Sequence, residues 1–135
     1  MTSDIPGDAP SAPSAAVPSP SPAAGADAAG LLPWETVDAL WRWLEREQPV
    51  GGREGLLLRV LKLSEEVGEV AEAVIGATGQ NPRKGTTHTW DDVGAELCDV
   101  ALTALVALRT LTPEPGRVFA HHLARVADRS LTTDS

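Results

Sequence analysis

The sequence predicts an all-α fold, and three observations carry that expectation. Apolar residues recur three and four apart in four separate segments. Residues that start and stop helices stand at the ends of those segments. No stretch alternates apolar and polar residues as a half-buried strand would. With 135 residues the chain is long enough for one domain and too short for two.

The first helix is expected over Leu31 to Gln48. Pro33 suits a first turn, where its missing N–H is not needed, and Pro49-Val50-Gly51-Gly52 stops the helix. Trp34, Val37, Trp41 and Leu44 recur at helical spacing with Leu40 beside them, which reads the tryptophans as core. The second helix, Glu54 to about Ala77, is the longest periodic segment. Leu56, Val60, Leu63, Val67, Val70 and Val74 alternate four and three apart and form one apolar stripe. At about 100° per residue, Glu65, Glu66, Glu69 and Glu72 collect on the far side, with Lys62 among them.

The segment GATGQNPRKGTTH, 76 to 88, reads as a loop because of its three glycines, its Asn-Pro and its small polar residues. It leads to Thr89, a good N-cap, with Asp91 and Asp92 in the next turn to complement the helix dipole. The third helix is expected from Trp90 to about Leu111, with Asp92, Glu96, Asp99 and Thr103 on one face. Beyond Asp99 the run VALTALVAL is apolar nearly all round and needs cover on several sides. Thr112-Pro113 is expected to cap a fourth helix reaching about Arg129, built on Phe119, Leu123 and Val126.

Residues 1–30 differ in kind. Of them 23 are Ala, Pro, Ser or Gly and none is aromatic, so the segment cannot bury enough apolar surface to offset the entropy of ordering it. It lacks the basic start and apolar run of a signal peptide and is read as a disordered tail before a domain at 31–135. That domain carries 16 acids against 11 bases, without a basic stripe to follow a phosphate backbone, which argues against nucleic-acid binding. Arg59, Lys62 and Thr103 interrupt the longest apolar stretches, which argues against a membrane span. The single cysteine, Cys98, has no internal disulfide partner and fits a reducing cytoplasm. His121 and His122 are adjacent, point to different faces of a helix and make a poor zinc pair.

Like charges three and four apart on a helix repel one another, so the carboxylates of the second helix call for compensation. Glu66 and Glu69 are three apart there, and Glu96 and Asp99 are three apart on the third helix. Antiparallel packing of the two helices brings all four together. Oxygen-only clusters suit Mg²⁺, or Mn²⁺ in its place, and suit zinc poorly. Mg²⁺ held by carboxylates usually completes its shell with water and substrate phosphates, so the pattern suggests a metal site for a phosphorylated ligand. Arg83 and Lys84, adjacent in the loop, and Lys62 are candidate phosphate contacts. Trp90 or Trp34 is a candidate stacking surface for a base.

EEVGEVAEAV followed by AELCDV resembles the MazG-like members of the all-α nucleoside triphosphate pyrophosphohydrolase superfamily. Their signature is EExxE, then 12 to 28 residues, then ExxD. Here EEVGE is 65–69, ELCD is 96–99, and 26 residues intervene. The resemblance covers residues 54 to about 130 and implies a four-helix MazG-like fold that oligomerises through apolar helix faces, as a homodimer or homotetramer. It also implies Mg²⁺-dependent cleavage of a nucleoside triphosphate between its α- and β-phosphates, releasing monophosphate and pyrophosphate. Glu66, Glu69, Glu96 and Asp99 would then be metal ligands. Glu65, catalytic with Glu66 and Glu69, would orient water or a further metal. Cys98 departs from the glycine common in the family. Two other readings stand beside this one: a non-catalytic helical dimerisation module with a degenerate metal site, and a phosphoribosyl-ATP pyrophosphohydrolase-like enzyme.

Overall fold

The computed structural model describes residues 34–131; the tail expected over 1–30 and the first residues of the first expected helix lie outside them. The described residues form four α-helices and no strand: α1 (Trp34–Glu47), α2 (Gly52–Thr78), α3 (Trp90–Leu111) and α4 (Pro115–Leu131). α2 and α3 are the main packed pair, α1 lies against α3, and α4 touches the rest far less. The α2–α3 pair is antiparallel. Thr87 N–H donates to the Gly76 carbonyl at one end, Glu66 meets Glu96 and Asp99 midway, and Arg59 reaches Thr110 at the other.

The ends of the helices follow from local chemistry. α2 runs to Thr78, past the expected Ala77, and closes at Gly79, whose φ of 64° favours glycine. The Gln80 N–H returns to the Ile75 carbonyl at 3.2 Å, the six-to-one bond of a Schellman motif. Gly76, expected in the loop, belongs to the helix and is buried, because the loop folds back onto it. A Cβ at Gly76 would overlap the side chains of Thr87 and His88.

At the start of α3, Asp92 N–H donates to Thr89 Oγ1 at 3.2 Å while Thr89 N–H donates to Asp92 Oδ2 at 2.7 Å, a reciprocal capping box. Thr89→Ala is expected to lower stability by about 1 kcal/mol, read as a reduced denaturant midpoint at constant slope. The fourth helix starts later than expected. Thr112 closes α3 through its N–H to the Leu108 carbonyl, and its hydroxyl accepts from the Glu114 N–H. Pro115 occupies the first helical position of α4.

The core is thin. Val37, Ala73, Val93, Val106 and Ala107 are the buried apolar side chains among the described residues. The face that α2 buries holds Gly55, Arg59, Glu66, Ala73 and Gly76, so Glu66 turns toward α3 while Leu56, Leu63, Val70 and Val74 of the expected apolar stripe are only half-buried. Val60 and Val67 of that stripe are exposed. Along the side of α2 opposite Glu66, Leu57, Leu61 and Ile75 are 58%, 63% and 48% exposed.

Polar ties hold α1 in place. Arg109 stacks over the Trp41 ring at 3.8 Å and donates to Asp38 at 2.7 Å. Buried Arg59 pairs with Glu45 at 2.6 Å and donates to Gln48 Oε1 and to Thr110 Oγ1. Trp34 meets Phe119 with ring centroids 5.9 Å apart and covers Gly116, so this tryptophan is packing, as its register suggests.

Candidate metal centre

The antiparallel register places Glu66 of α2 opposite Glu96 and Asp99 of α3. One carboxylate oxygen from each lies within 4.8 Å of the other two. Mg²⁺ takes oxygens at about 2.0–2.1 Å, so its ligands sit at most about 4.2 Å apart across the ion, and small side-chain rotations close the difference. The three differ in exposure: Glu66 is buried, Glu96 half-buried and Asp99 exposed. One side of the site therefore faces protein and the other faces solvent. The donors are all oxygen, and this is the set a hard divalent cation takes.

Glu69, the fourth expected ligand, stands at the edge of this group. Its carboxyl is held above the ordinary glutamate range, first by a hydrogen bond with Glu66, then by desolvation and by the charges of Glu66 and Glu96, against the pull of Lys62. Lys62 is the internal counter-ion. Its Nζ lies 2.9 Å from Glu65 Oε2 and 3.1 Å from Glu66 Oε1, and these bonds raise its pKa well above the usual lysine value. Glu65 is exposed and turned to Lys62.

Asp92 shares the helix face of Glu96 and Asp99 but is taken up by the cap. The Thr89 N–H, and after it the Thr89 hydroxyl, hold its carboxyl below the usual range. The capping contribution is therefore complete above the ordinary aspartate pKa and is lost as pH falls through the lowered folded value.

A cavity of about 400 Å³ adjoins the acidic group, with Lys62 in the wall of one and bonded to the other. Leu40, Trp43, Leu44, Leu58, Leu102 and Val106 make it mainly apolar, and Gln48, Arg59 and Thr103 supply polar atoms. Trp43, 51% exposed, was not among the expected contacts. The signal available was its register: it falls about 140° off the stripe of Trp34, Val37, Trp41 and Leu44.

The other expected contacts are not brought to this place. Trp90 is exposed at the first position of α3 and does not line the cavity. Arg83 and Lys84 are exposed in the loop, where the Arg83 N–H donates to Asn81 Oδ1. Lys84 shares a hollow with Gly68, Ala71 and Glu72, on the side of α2 turned away from Glu66. No family model, curated protein or solved structure matches the chain.

Proposed function

We propose that the protein is a Mg²⁺-dependent nucleoside triphosphate pyrophosphohydrolase that cleaves between the α- and β-phosphates and releases nucleoside monophosphate and pyrophosphate. The observation that carries this reading is the convergence of Glu66, Glu96 and Asp99 beside an apolar cavity large enough for a nucleobase. The MazG-like spacing of EEVGE and ELCD supports it independently of the geometry.

Glu66, Glu96 and Asp99 would hold the metal, with Glu69 as the fourth carboxylate. Bound Mg²⁺ polarises phosphoryl oxygens and offsets their charge. The remaining work is positioning and electrostatics, which is sufficient for phosphoryl attack without a Ser-His or Cys-His pair. Glu65 and Glu69 would accept hydrogen bonds from an attacking water, Glu65 once released from Lys62. Lys62, freed from Glu66 when a cation takes over that carboxylate, has three N–H donors to turn to phosphate oxygens at the cavity mouth. Trp43 gives the base a face to stack on. Trp43→Ala is expected to raise KM about tenfold or more with a smaller change in kcat, measured by steady-state kinetics.

The same reading includes a homo-oligomer, a dimer or a pair of dimers. Five buried apolar side chains are a small core for a domain of this length, and the exposed Leu57, Leu61, Val67 and Ile75 offer one continuous face for a second copy. Light scattering at micromolar concentration should give at least twice the chain mass; a monomer mass contradicts this part. Among the described residues no helix is long and apolar enough to cross a membrane. Cys98 is free and exposed, in keeping with a reducing, cytoplasmic setting. Incubation of the full chain with a panel of ribo- and deoxyribonucleoside triphosphates and Mg²⁺ tests the reading. Turnover of one or more supports it. Mg²⁺ binding with no turnover across the panel points to a non-catalytic module.

A further inference from the structure

The cavity has one polar corner whose hydrogen-bonding sense is fixed by chemistry. Buried Arg59 has only N–H groups to offer. It directs two of them at Gln48 Oε1, from Nε at 3.2 Å and from Nη2 at 3.0 Å. Its Nη1 is committed to Thr110 Oγ1 at 2.9 Å and to Glu45 at 2.6 Å. An amide that faces a guanidinium must present its oxygen, because its NH₂ would set donor against donor. The O/N orientation of a glutamine is ordinarily settled only by such partners, and here two donors on one oxygen settle it. Gln48 lines the cavity, so its amide NH₂ is the group left to meet a ligand there.

We infer that Gln48, oriented by Arg59, is a specificity-determining donor that selects nucleobases presenting a carbonyl oxygen over those presenting an exocyclic amine at the same position. The inference rests on the reading that the cavity receives the base of a nucleoside triphosphate. Uracil and cytosine differ in this way at one ring position, as do the six-position groups of guanine and adenine. A carbonyl accepts from the Gln48 NH₂. An amine opposes it, donor to donor, and gains no hydrogen bond from the one polar group that Gln48, exposed at the cavity edge, turns to the base. Arg59 acts as a positioning residue, since its two bonds prevent the amide from turning over to suit an amine. A freely rotating glutamine would accept either base and discriminate little.

The test is kcat/KM with Mg²⁺ for dUTP against dCTP and for dGTP against dATP, on the full chain and on Gln48→Glu. The parent should favour the carbonyl-bearing member of whichever pair it turns over by about tenfold or more. Gln48→Glu keeps an oxygen for Arg59 but offers an acceptor to the base. It should shift that ratio about tenfold toward the amine-bearing member while leaving the Mg²⁺-induced rise in Tm unchanged. Gln48→Met, which has neither donor nor charge, should bring the ratio close to one and covers the case in which Gln48→Glu does not fold. Turnover with a ratio near one in the parent, or the same ratio in parent and folded variants, overturns the inference and leaves the hydrolase reading intact. Absence of turnover for all four nucleotides and for their ribonucleotide counterparts overturns both.

Discussion

Glu69→Gln is expected to lose about a hundredfold or more in hydrolysis while its metal-free form melts no lower than the parent. The loss would follow from removing one carboxylate charge at the edge of the proposed metal site, whose chemistry would rest on electrostatic positioning. The retained stability follows from the pKa. The Glu69 carboxyl is raised in the folded chain by its bond to Glu66 and by the nearby charges of Glu66 and Glu96. A raised acid contributes stability below its unfolded pKa and loses it as pH rises through the folded one. The metal-free parent should therefore lose stability across that interval, and Glu69→Gln should not show the step. On the proposed reading Mg²⁺ would bind the folded state and stabilise it by RT ln(1 + [Mg²⁺]/Kd), so the variant's gain in Tm on adding Mg²⁺ should shrink. Thermal melts across pH with chelator and with Mg²⁺, beside initial rates, read all three effects. Full activity in Glu69→Gln, with an unchanged response to Mg²⁺, is the result of a merely solvated acidic face.

Arg59→Ala is expected to be the most destabilising single change outside the small apolar core, at about 2–3 kcal/mol. The guanidinium ties α2 to Glu45 in α1, to Gln48 just beyond it, and to Thr110 in α3. A hydrogen bond from a charged donor contributes about 1.5 kcal/mol net at the low end of its range, and the buried aliphatic stem adds packing. Glu45 is half exposed, so its ion pair is discounted for solvent screening. Arg59→Lys should recover only part of the loss, because one ammonium cannot reproduce the fork that bridges Gln48 and Thr110. Denaturant melts at fixed chain concentration measure this, since the proposed homo-oligomer would couple stability to concentration. An Arg59→Ala midpoint equal to the parent's would show the network to be idle.

The helices were legible because punctuation and period agreed. Gly-Gly after Pro49, the capping residues at Thr89 and Asp92, and the three-four spacing of apolar residues each mark the same boundaries from different physics. Which face of α2 meets α3 was legible from the paired carboxylate motifs and not from the apolar stripe. A helical wheel tells which residues share a side, and it cannot tell which side finds its partner inside the chain. Val60 and Val67 look like core by spacing, yet Glu66, Arg59 and Ala73 take the inner place. The carboxylates of the two motifs were readable because antiparallel helices of similar length bring positions 66, 96 and 99 to one level. Asp92 shares their face and is diverted by a local bond to Thr89, a competition that face counting ignores. Lys84 follows the loop's own turn, with the Lys84 and Gly85 N–H groups both donating to the Asn81 carbonyl, and ends on the far side of α2. In the sequence Arg59 is only a charge interrupting an apolar run; its role depends on Gln48 and Thr110, 11 and 51 residues away.

The central claim is the bond that is cut. Phosphorus NMR of the full chain incubated with Mg²⁺ and the nucleoside triphosphate panel follows every phosphate product at once. The expected result is monophosphate and pyrophosphate appearing together in equal amounts, only with Mg²⁺ or Mn²⁺ present, and lost in Glu69→Gln. Diphosphate with inorganic phosphate, or spectra unchanged for every nucleotide, would contradict it.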